Sequence, residues 1–138
     1  MGTLIDTSVI VAAERGLLDL AAVRAEGDED VAISAITAAE LLHGVERLRG
    51  ARRARAERFV DALLDGVPVL DFDLAVARVH AVLSADLAER GTPVGAHDLI
   101  IAATAIAHDY TVITSNRRDF EKIEGLRLEV QNSSPNHL

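Results

Sequence analysis

Short, continuously apolar segments alternate along the chain with longer segments in which apolar residues recur every three or four positions. The short segments are typical of strands buried on both faces of a parallel sheet. The longer segments are typical of helices with one buried face. The predicted strands are 3–5, 31–33, 67–70, 111–114 and 126–130, and the predicted helices are 7–14, 17–26, 37–48, 51–65, 73–90 and 98–109.

This alternation determines the predicted fold class. Strands separated by helices need crossover connections, which place helices on both faces of a mostly parallel sheet. The 138 residues are one domain's length, and they contain no repeat and no interdomain linker. We therefore predict a single three-layer α/β/α domain over 1–131, followed by a flexible tail over 132–138.

Composition excludes several classes of function. Fourteen basic and twenty-two acidic residues give a net charge of −8, which disfavours a passive nucleic-acid coat. The sequence contains no cysteine, so disulfide frameworks and thiolate metal sites are excluded. We find no run long enough to span a membrane and no secretory signal, and we expect a cytoplasmic protein.

Five polar residues fall where predicted strands end or where neighbouring helices begin. Asp6 follows the first strand, Glu40 lies early in the helix after the second, and Asn116 and Asp119 follow the fourth. Asp98 opens the helix that leads into the fourth strand, and a right-handed crossover starts that helix at the same edge. Because ligands bind beyond the carboxyl ends of parallel strands, we expect these side chains to converge.

A cluster of this kind has a specific chemical use. Packed carboxylates repel one another unless a cation or a proton neutralises them. Ligands that are all oxygen select hard ions, which favours Mg²⁺ and allows Mn²⁺. Such ions suit phosphoryl chemistry, because they activate water and stabilise a leaving oxygen. The candidate ligands are Asp6, Glu40, Asp98, Asn116 and Asp119, and the four carboxylates among them are the candidate catalytic residues.

Each candidate also has an ordinary structural interpretation. Asp6 can cap the first helix, and Asp98 suits the positive end of its helix dipole. Thr37 and Glu40 have the spacing of a capping box. The two polar residues after the fourth strand are common turn formers. His97 adjoins Asp98 and could line a cleft, although a histidine at such a position is more often a surface or loop residue.

Two known families share this alternation of strands and helices, but the sequence lacks their characteristic residues. A receiver domain needs an acidic pair at the first strand and a lysine after a late strand. Here Thr7 follows Asp6, and the only lysine is Lys122. A haloacid-dehalogenase-like phosphatase needs Asp-x-Asp, and position 8 is serine.

Four segments, in order, resemble the motifs of PIN-domain ribonucleases, and their spacing is similar to that of the VapC toxins of bacterial toxin–antitoxin pairs. Four motifs in sequence are far more specific than any one of them. The likeness extends over roughly residues 3–130, and the matching segments are 4–10, 33–41, 93–105 and 114–120.

The resemblance implies an endoribonuclease that depends on Mg²⁺ or Mn²⁺. Its acidic ligands would be Asp6, Glu40 and Asp98, with the fourth position supplied by Asn116 or Asp119. Family members often have aspartate where Asn116 stands, so both residues remain candidates.

Further residues and partners follow from the same resemblance. Thr7 and Ser115 match hydroxyl positions near the metal. The family forms homodimers and is neutralised by a VapB-type antitoxin, whose basic side chain enters the acidic site. A bacterial cytoplasmic location and a tRNA or rRNA substrate follow. The alternative is a catalytically inactive PIN-like binding module that acts through protein partners.

The final candidate surface is a run of six arginines within residues 47–58. Such a run can contact RNA phosphates or the antitoxin, and the candidate residues are Arg52, Arg53 and Arg55. The simpler interpretation is a solvated helix face in which Arg53 pairs with Glu57 four residues later.

Overall fold

The computed structural model describes residues 2–23 and 30–131. Within these residues, no helix is long and apolar enough to cross a membrane. The strands are β1 (Gly2–Ile5), β2 (Asp30–Ser34), β3 (Val69–Leu70), β4 (Tyr110–Thr114) and β5 (Leu128–Val130). The α-helices are α1 (Thr7–Glu14), α2 (Ala35–Glu46), α3 (Gly50–Gly66), α4 (Leu74–Glu89) and α5 (Ala96–His108), with short 3-10 turns at Leu20–Ala22 and Phe120–Lys122.

The strands form one parallel sheet in the order β3-β2-β1-β4-β5. The first strand is central, and its Leu4 is in register with Ala32 on one side and Val112 on the other. The carboxyl ends of β1, β2 and β4 therefore lie side by side. This arrangement confirms the predicted α/β class and brings the residues that follow these strands to one edge.

Two apolar clusters fill the space on the two faces of the sheet. Ile5 packs on one face among residues of α1, α2 and α3. Its neighbour Leu4 points to the opposite face and packs among residues of α4 and α5. Side chains alternate between the faces of a strand, so a strand covered on both sides needs apolar residues at successive positions. This double burial explains the continuous apolar runs and confirms the three layers.

The predicted helix over 17–26 is wrong where the structure describes it. Gly16, at φ +77°, ends α1: its N–H bonds to Ala13 O, and the N–H of Leu17 bonds to Ala12 O. This pair of bonds is a Schellman motif, which needs a residue in the left-handed region. Only the 3-10 turn Leu20–Ala22 follows, and residues 24–29, like the predicted tail over 132–138, lie outside the described residues.

Phe120 anchors the segment between β4 and β5. Its side chain is 1% exposed and packs in the cluster formed with α4 and α5. Asp119 immediately precedes it, so this contact also fixes the position of a candidate site residue.

We expect Phe120→Ala to lower the free energy of unfolding by about 3–5 kcal/mol, because truncation leaves a cavity in the core. Leu17→Ala is the control, since Leu17 is 40% exposed and its truncation should cost under about 1 kcal/mol. Urea unfolding of both variants measures the difference. Equal decreases in the two variants would contradict this account of the core.

Candidate active site and metal centre

Asp6 lies directly after β1 and is only 5% exposed. It occupies the N-cap position of α1 but makes no side-chain capping bond, so the helix-cap interpretation is wrong. Its Oδ2 instead accepts hydrogen bonds from the hydroxyls of Ser8 and Thr114, each at 2.7 Å. The carboxylate is therefore held from both α1 and the end of β4.

Glu40 lies in the second turn of α2, and the capping-box interpretation is also wrong. Ser34 caps this helix, because its Oγ accepts the N–H of Thr37 at 3.1 Å. The Glu40 carboxylate is directed away from the helix start: its Oε1 accepts from the Thr7 hydroxyl at 2.6 Å, and its Oε2 lies 2.7 Å from Nδ1 of His97. Glu40 thus links α1, α2 and α5.

His97 contacts the carboxylate cluster, whereas the sequence favoured a surface or loop residue at this position. Its side chain is 55% exposed, as a surface histidine would be, yet its ring contacts the Glu40 carboxylate. The adjacency of His97 to Asp98 was the available signal. The contact itself depends on how α2 packs against α5, which the local sequence does not specify.

Asp98 lies in the first turn of α5, at the centre of the acidic cluster. Its pKa is raised to about 6, first by burial, then by the negative charges of Asp6, Asp119 and Glu40, and last by a hydrogen bond with Asp119. These electrostatic interactions bring together all four carboxylates that the sequence singled out. The cluster therefore favours a bound cation, which relieves the repulsion that otherwise favours a proton.

Asp119 lies beside Asp98 and is held by contacts with Gly95 and Lys122. Its Oδ2 accepts the backbone N–H of Gly95 at 2.9 Å, and its Oδ1 lies 3.3 Å from Nζ of Lys122. The Gly95 hydrogen bond, followed by Lys122, lowers the pKa of Asp119. A Cβ at position 95 would lie 3.3 Å from Asp119 Oδ2 and 3.7 Å from Asp98 Oδ2. Glycine therefore leaves open the space beside both carboxylates.

The segment after β4 contributes backbone and hydroxyl groups to the cluster. The N–H of Asn116 donates to the Thr114 hydroxyl at 2.9 Å, while the residue itself is exposed. The N–H of Ser115 donates to Ser8 Oγ at 3.1 Å. Within the described residues, the buried Ser115 hydroxyl has no hydrogen-bond partner, so it remains available to a ligand or water beside the cluster.

Ser8 and Thr114 are the site residues that the sequence reasoning missed. Both position Asp6 through its Oδ2. A signal for Thr114 exists in the strand register, because Ile5 pairs with Ile113 and the next residues on the two strands are Asp6 and Thr114. Using that signal requires the neighbouring strands to be known.

The donor set fits a hard divalent cation. It consists of carboxylate oxygens with hydroxyls close by, which is the chemistry that Mg²⁺ and Mn²⁺ prefer. In the part of the chain that the structure describes, no three acidic or histidine side chains are already arranged around a single ion position. Binding would therefore draw the carboxylates inward, and the raised pKa of Asp98 records the repulsion that such an ion would remove.

The arginines of residues 47–58 have different surroundings in the structure. Arg53 turns to Glu46, with 3.2 Å between Nη2 and Oε2, and not to the predicted partner Glu57. Arg52 and Arg55 instead line a cavity of about 420 Å³ on the other side of α3.

Comparison with known proteins gives a consistent family assignment. The PIN domain family matches residues 3–126. Ribonuclease VapC1 of Rickettsia felis is 36% identical over 129 residues, which cover 93% of this chain and 95% of that protein. The tRNA(fMet)-specific endonuclease VapC of Salmonella typhimurium is 39% identical over 97 residues, which cover 70% of this chain and 72% of that protein.

The fold gives the same result. The crystal structure of VapBC2 from Rickettsia felis, bound to a DNA fragment from their promoter, superposes with a TM-score of 0.80 at 28% identity. The superposition covers 94% of this chain and 98% of that chain.

We expect Asp98→Asn to stabilise the metal-free protein at neutral pH. The folded-state pKa of about 6 lies above the ordinary 3.8, so the contribution of Asp98 to stability is full below pH 3.8 and is lost as the pH rises through 6. After allowance for partial exposure, the gain is about 1 kcal/mol, or about 3–5 °C in Tm at pH 7.5 in EDTA.

The gain should shrink as the pH falls from 6 towards 4. Asp61→Asn, the same change at an exposed position on α3, should leave Tm within about 1 °C. Thermal unfolding across this pH range tests the prediction, and a Tm gain that does not vary with pH would refute the electrostatic explanation.

Proposed function

The chain belongs to the PIN-domain family and to its VapC ribonucleases, and from that premise we propose that it is a divalent-metal-dependent endoribonuclease toxin whose activity a VapB-type antitoxin blocks. The observation that carries the proposal is the convergence of Asp6, Glu40, Asp98 and Asp119 at the carboxyl edge of the sheet. Mg²⁺ is the proposed ion, and Mn²⁺ can replace it.

The proposed metal ligands are Asp6, Glu40 and Asp98, with Asp119 or Asn116 in the fourth position. Asp119 Oδ2 and Asp98 Oδ2 both lie beside Gly95, which favours Asp119 over Asn116, a residue exposed on the turn. When bound, the ion would lower the pKa of a water and stabilise charge on the phosphate oxygens.

The chain's own residues orient the reacting groups. Ser8 and Thr114 both donate to Oδ2 of Asp6, and within the described residues Oδ1 has no partner, so that oxygen is free to face the ion. Either Glu40 or Asp98 orients the attacking water and receives its proton on a carboxylate oxygen. For Glu40, the Thr7 hydroxyl and the His97 ring fix the orientation of the carboxylate.

The proposed substrate is RNA, and tRNA or rRNA is the proposed class. A Salmonella typhimurium relative is named as specific for tRNA(fMet), which supports testing tRNA first. With few aromatic side chains, recognition would depend on RNA shape and on exposed single-stranded loops. The antitoxin would inhibit by placing a basic side chain among the carboxylates, in the bacterial cytoplasm.

We also propose a homodimer. Val82 on α4 is 69% exposed, and Leu74 and Phe72 near the start of this helix are exposed as well. Val79, Leu83 and Ile106 border an apolar cavity beside Val82. An apolar surface of this kind supports association with a second copy.

Metal-dependent cleavage of purified tRNAs and total RNA tests the enzymatic proposal. The antitoxin-free protein should cleave with Mg²⁺ or Mn²⁺ and stop when EDTA is added. Asp98→Asn should lower the rate at least about 100-fold, because it removes a ligand whose ion contributes several kcal/mol. Asp61→Asn, which makes the same chemical change away from the cluster, should retain the activity.

The opposite result has a definite meaning. If the folded protein binds Mg²⁺ but cleaves none of these RNAs, the inactive binding module replaces the nuclease. Titration calorimetry on the same samples measures Mg²⁺ binding.

Light scattering coupled to size exclusion tests the dimer. The protein should elute at twice its chain mass of 14.7 kDa, and Val82→Glu should shift it to the monomer by burying a charge at the interface. Leu17→Glu, at another exposed apolar position, should leave the mass unchanged. A monomeric wild-type protein would exclude the proposed assembly.

A further inference from the structure

A basic cavity lies apart from the carboxylate cluster, where the end of α1 meets the start of α3. Its volume is about 420 Å³. The residues around it are Glu14, Arg15, Leu48, Arg52, Arg55 and Phe59. Three guanidinium groups therefore face one cavity, with a single carboxylate and an apolar wall beside them.

The three guanidinium groups of this cavity lack partners. Within the described residues, Arg15, Arg52 and Arg55 form no ion pair and no side-chain hydrogen bond, whereas Arg53 and Arg90 are paired with Glu46 and Asp86. Among the described residues, Arg47 and Arg58 also have no ion pair, so the cavity arginines are distinguished by their placement around one cavity. Three unpaired arginines at one cavity concentrate positive charge there, which suits an external anion.

A groove connects this basic cavity to the carboxylate cluster. A second cavity, of about 200 Å³, runs between α1 and the α2–α3 pair. Arg15 and Leu48 border both cavities, and Thr7 and Glu40 border the far end of the second. Along α1, the rise from Thr7 to Glu14 is about 10 Å. The basic cavity therefore lies about this distance from the pair formed by Thr7 and Glu40.

We propose that Arg15, Arg52 and Arg55 form an RNA-phosphate subsite that holds the strand beside the bond to be cut. The inference rests on the proposed nuclease function. The carboxylate cluster repels every phosphate except the one that the metal ion neutralises, so a polyanionic strand needs cations nearby. Guanidinium groups bind phosphate in a bidentate geometry, and Phe59 with Leu48 offers an apolar surface to a sugar or base.

Continuity with the cleavage site favours RNA over an acidic protein segment. An RNA strand that places one phosphate at Glu40 would lay sugars and bases against the mainly apolar wall of the second cavity and bring further phosphates to the arginines. A protein partner would need an acidic residue at the corresponding place. Antitoxin binding at this cavity is therefore the competing outcome of the test.

The test is the salt dependence of RNA binding. Asp98→Asn serves as the cleavage-blocked parent, and labelled unfractionated tRNA is the probe, in Mg²⁺ at several NaCl concentrations. Adding Arg52→Ala and Arg55→Ala should weaken binding at least about 10-fold at low salt. The slope of log K against log salt should fall by about 0.7 for each phosphate that the variant no longer neutralises.

Two further double variants serve as controls. One removes positive charge outside the cavity, and the other keeps the charge but removes the guanidinium geometry. Arg47→Ala with Arg58→Ala removes the same charge from exposed positions outside the cavity, and it should change the slope little. Arg52→Lys with Arg55→Lys keeps the charge without the planar fork, and it should recover the slope but only part of the affinity. In the cleaving protein, Arg52→Ala with Arg55→Ala should raise KM and leave kcat within about twofold.

Failure of the phosphate subsite and failure of the proposed nuclease function give different results. An unchanged slope in Arg52→Ala with Arg55→Ala, or a parent that binds no tRNA, overturns the subsite while metal-dependent cleavage by the wild type still stands. If this double variant keeps tRNA binding but loses antitoxin binding, the cavity is a protein-docking site and the proposal is wrong. If wild type cleaves nothing but the double variant loses tRNA binding with its reduced slope, the subsite stands and the nuclease fails.

Discussion

Four carboxylates crowd one edge of the sheet, and their mutual repulsion is the main electrostatic problem of this site. Every neutral or positive group near Asp6, Glu40, Asp98 and Asp119 reduces it. Hydroxyls donate to Asp6 and Glu40, and the Gly95 N–H with Lys122 stabilises Asp119. For Asp98, burial and then the charges of Asp6, Asp119 and Glu40 raise the pKa to about 6. A bound cation would relieve this repulsion, which is consistent with the proposed metal-assisted hydrolysis of a phosphodiester.

The parallel sheet makes this crowding possible. The first strand is central, so the residue that follows it is flanked by the ends of β2 and β4. Burial of both faces keeps these strands rigid and places Asp6, the start of α2 and the turn after β4 within reach of one another. The start of α5 reaches the same edge, where Asp98 lies near Asp6, Glu40 and Asp119. The backbone is therefore held in place at the site, while an ion would still draw the carboxylate side chains inward.

The distribution of charge also acquires a physical meaning. The chain is acidic overall, yet its proposed substrate is a polyanion. An ion among the carboxylates reverses the sign of the potential at the point of reaction. The arginines of α3 and Arg15 then supply positive charge beyond the ion's reach, and a groove joins the two regions.

The layers and the parallel sheet could be predicted from local patterns, because continuous apolar runs indicate burial on both faces. The convergence of the four carboxylates could be expected because the carboxyl ends of parallel strands meet at one edge. Only the tertiary structure decided the partners of each carboxylate. The hydrogen bonds of Glu40 with Thr7 and His97 join three helices that are remote in sequence. Local patterns also misled: Ser34 caps α2 in place of Thr37, and Gly16 stops the chain from forming the helix predicted over 17–26. Side-chain hydrogen bonds depend on how helices pack, and that geometry is not encoded in local spacing.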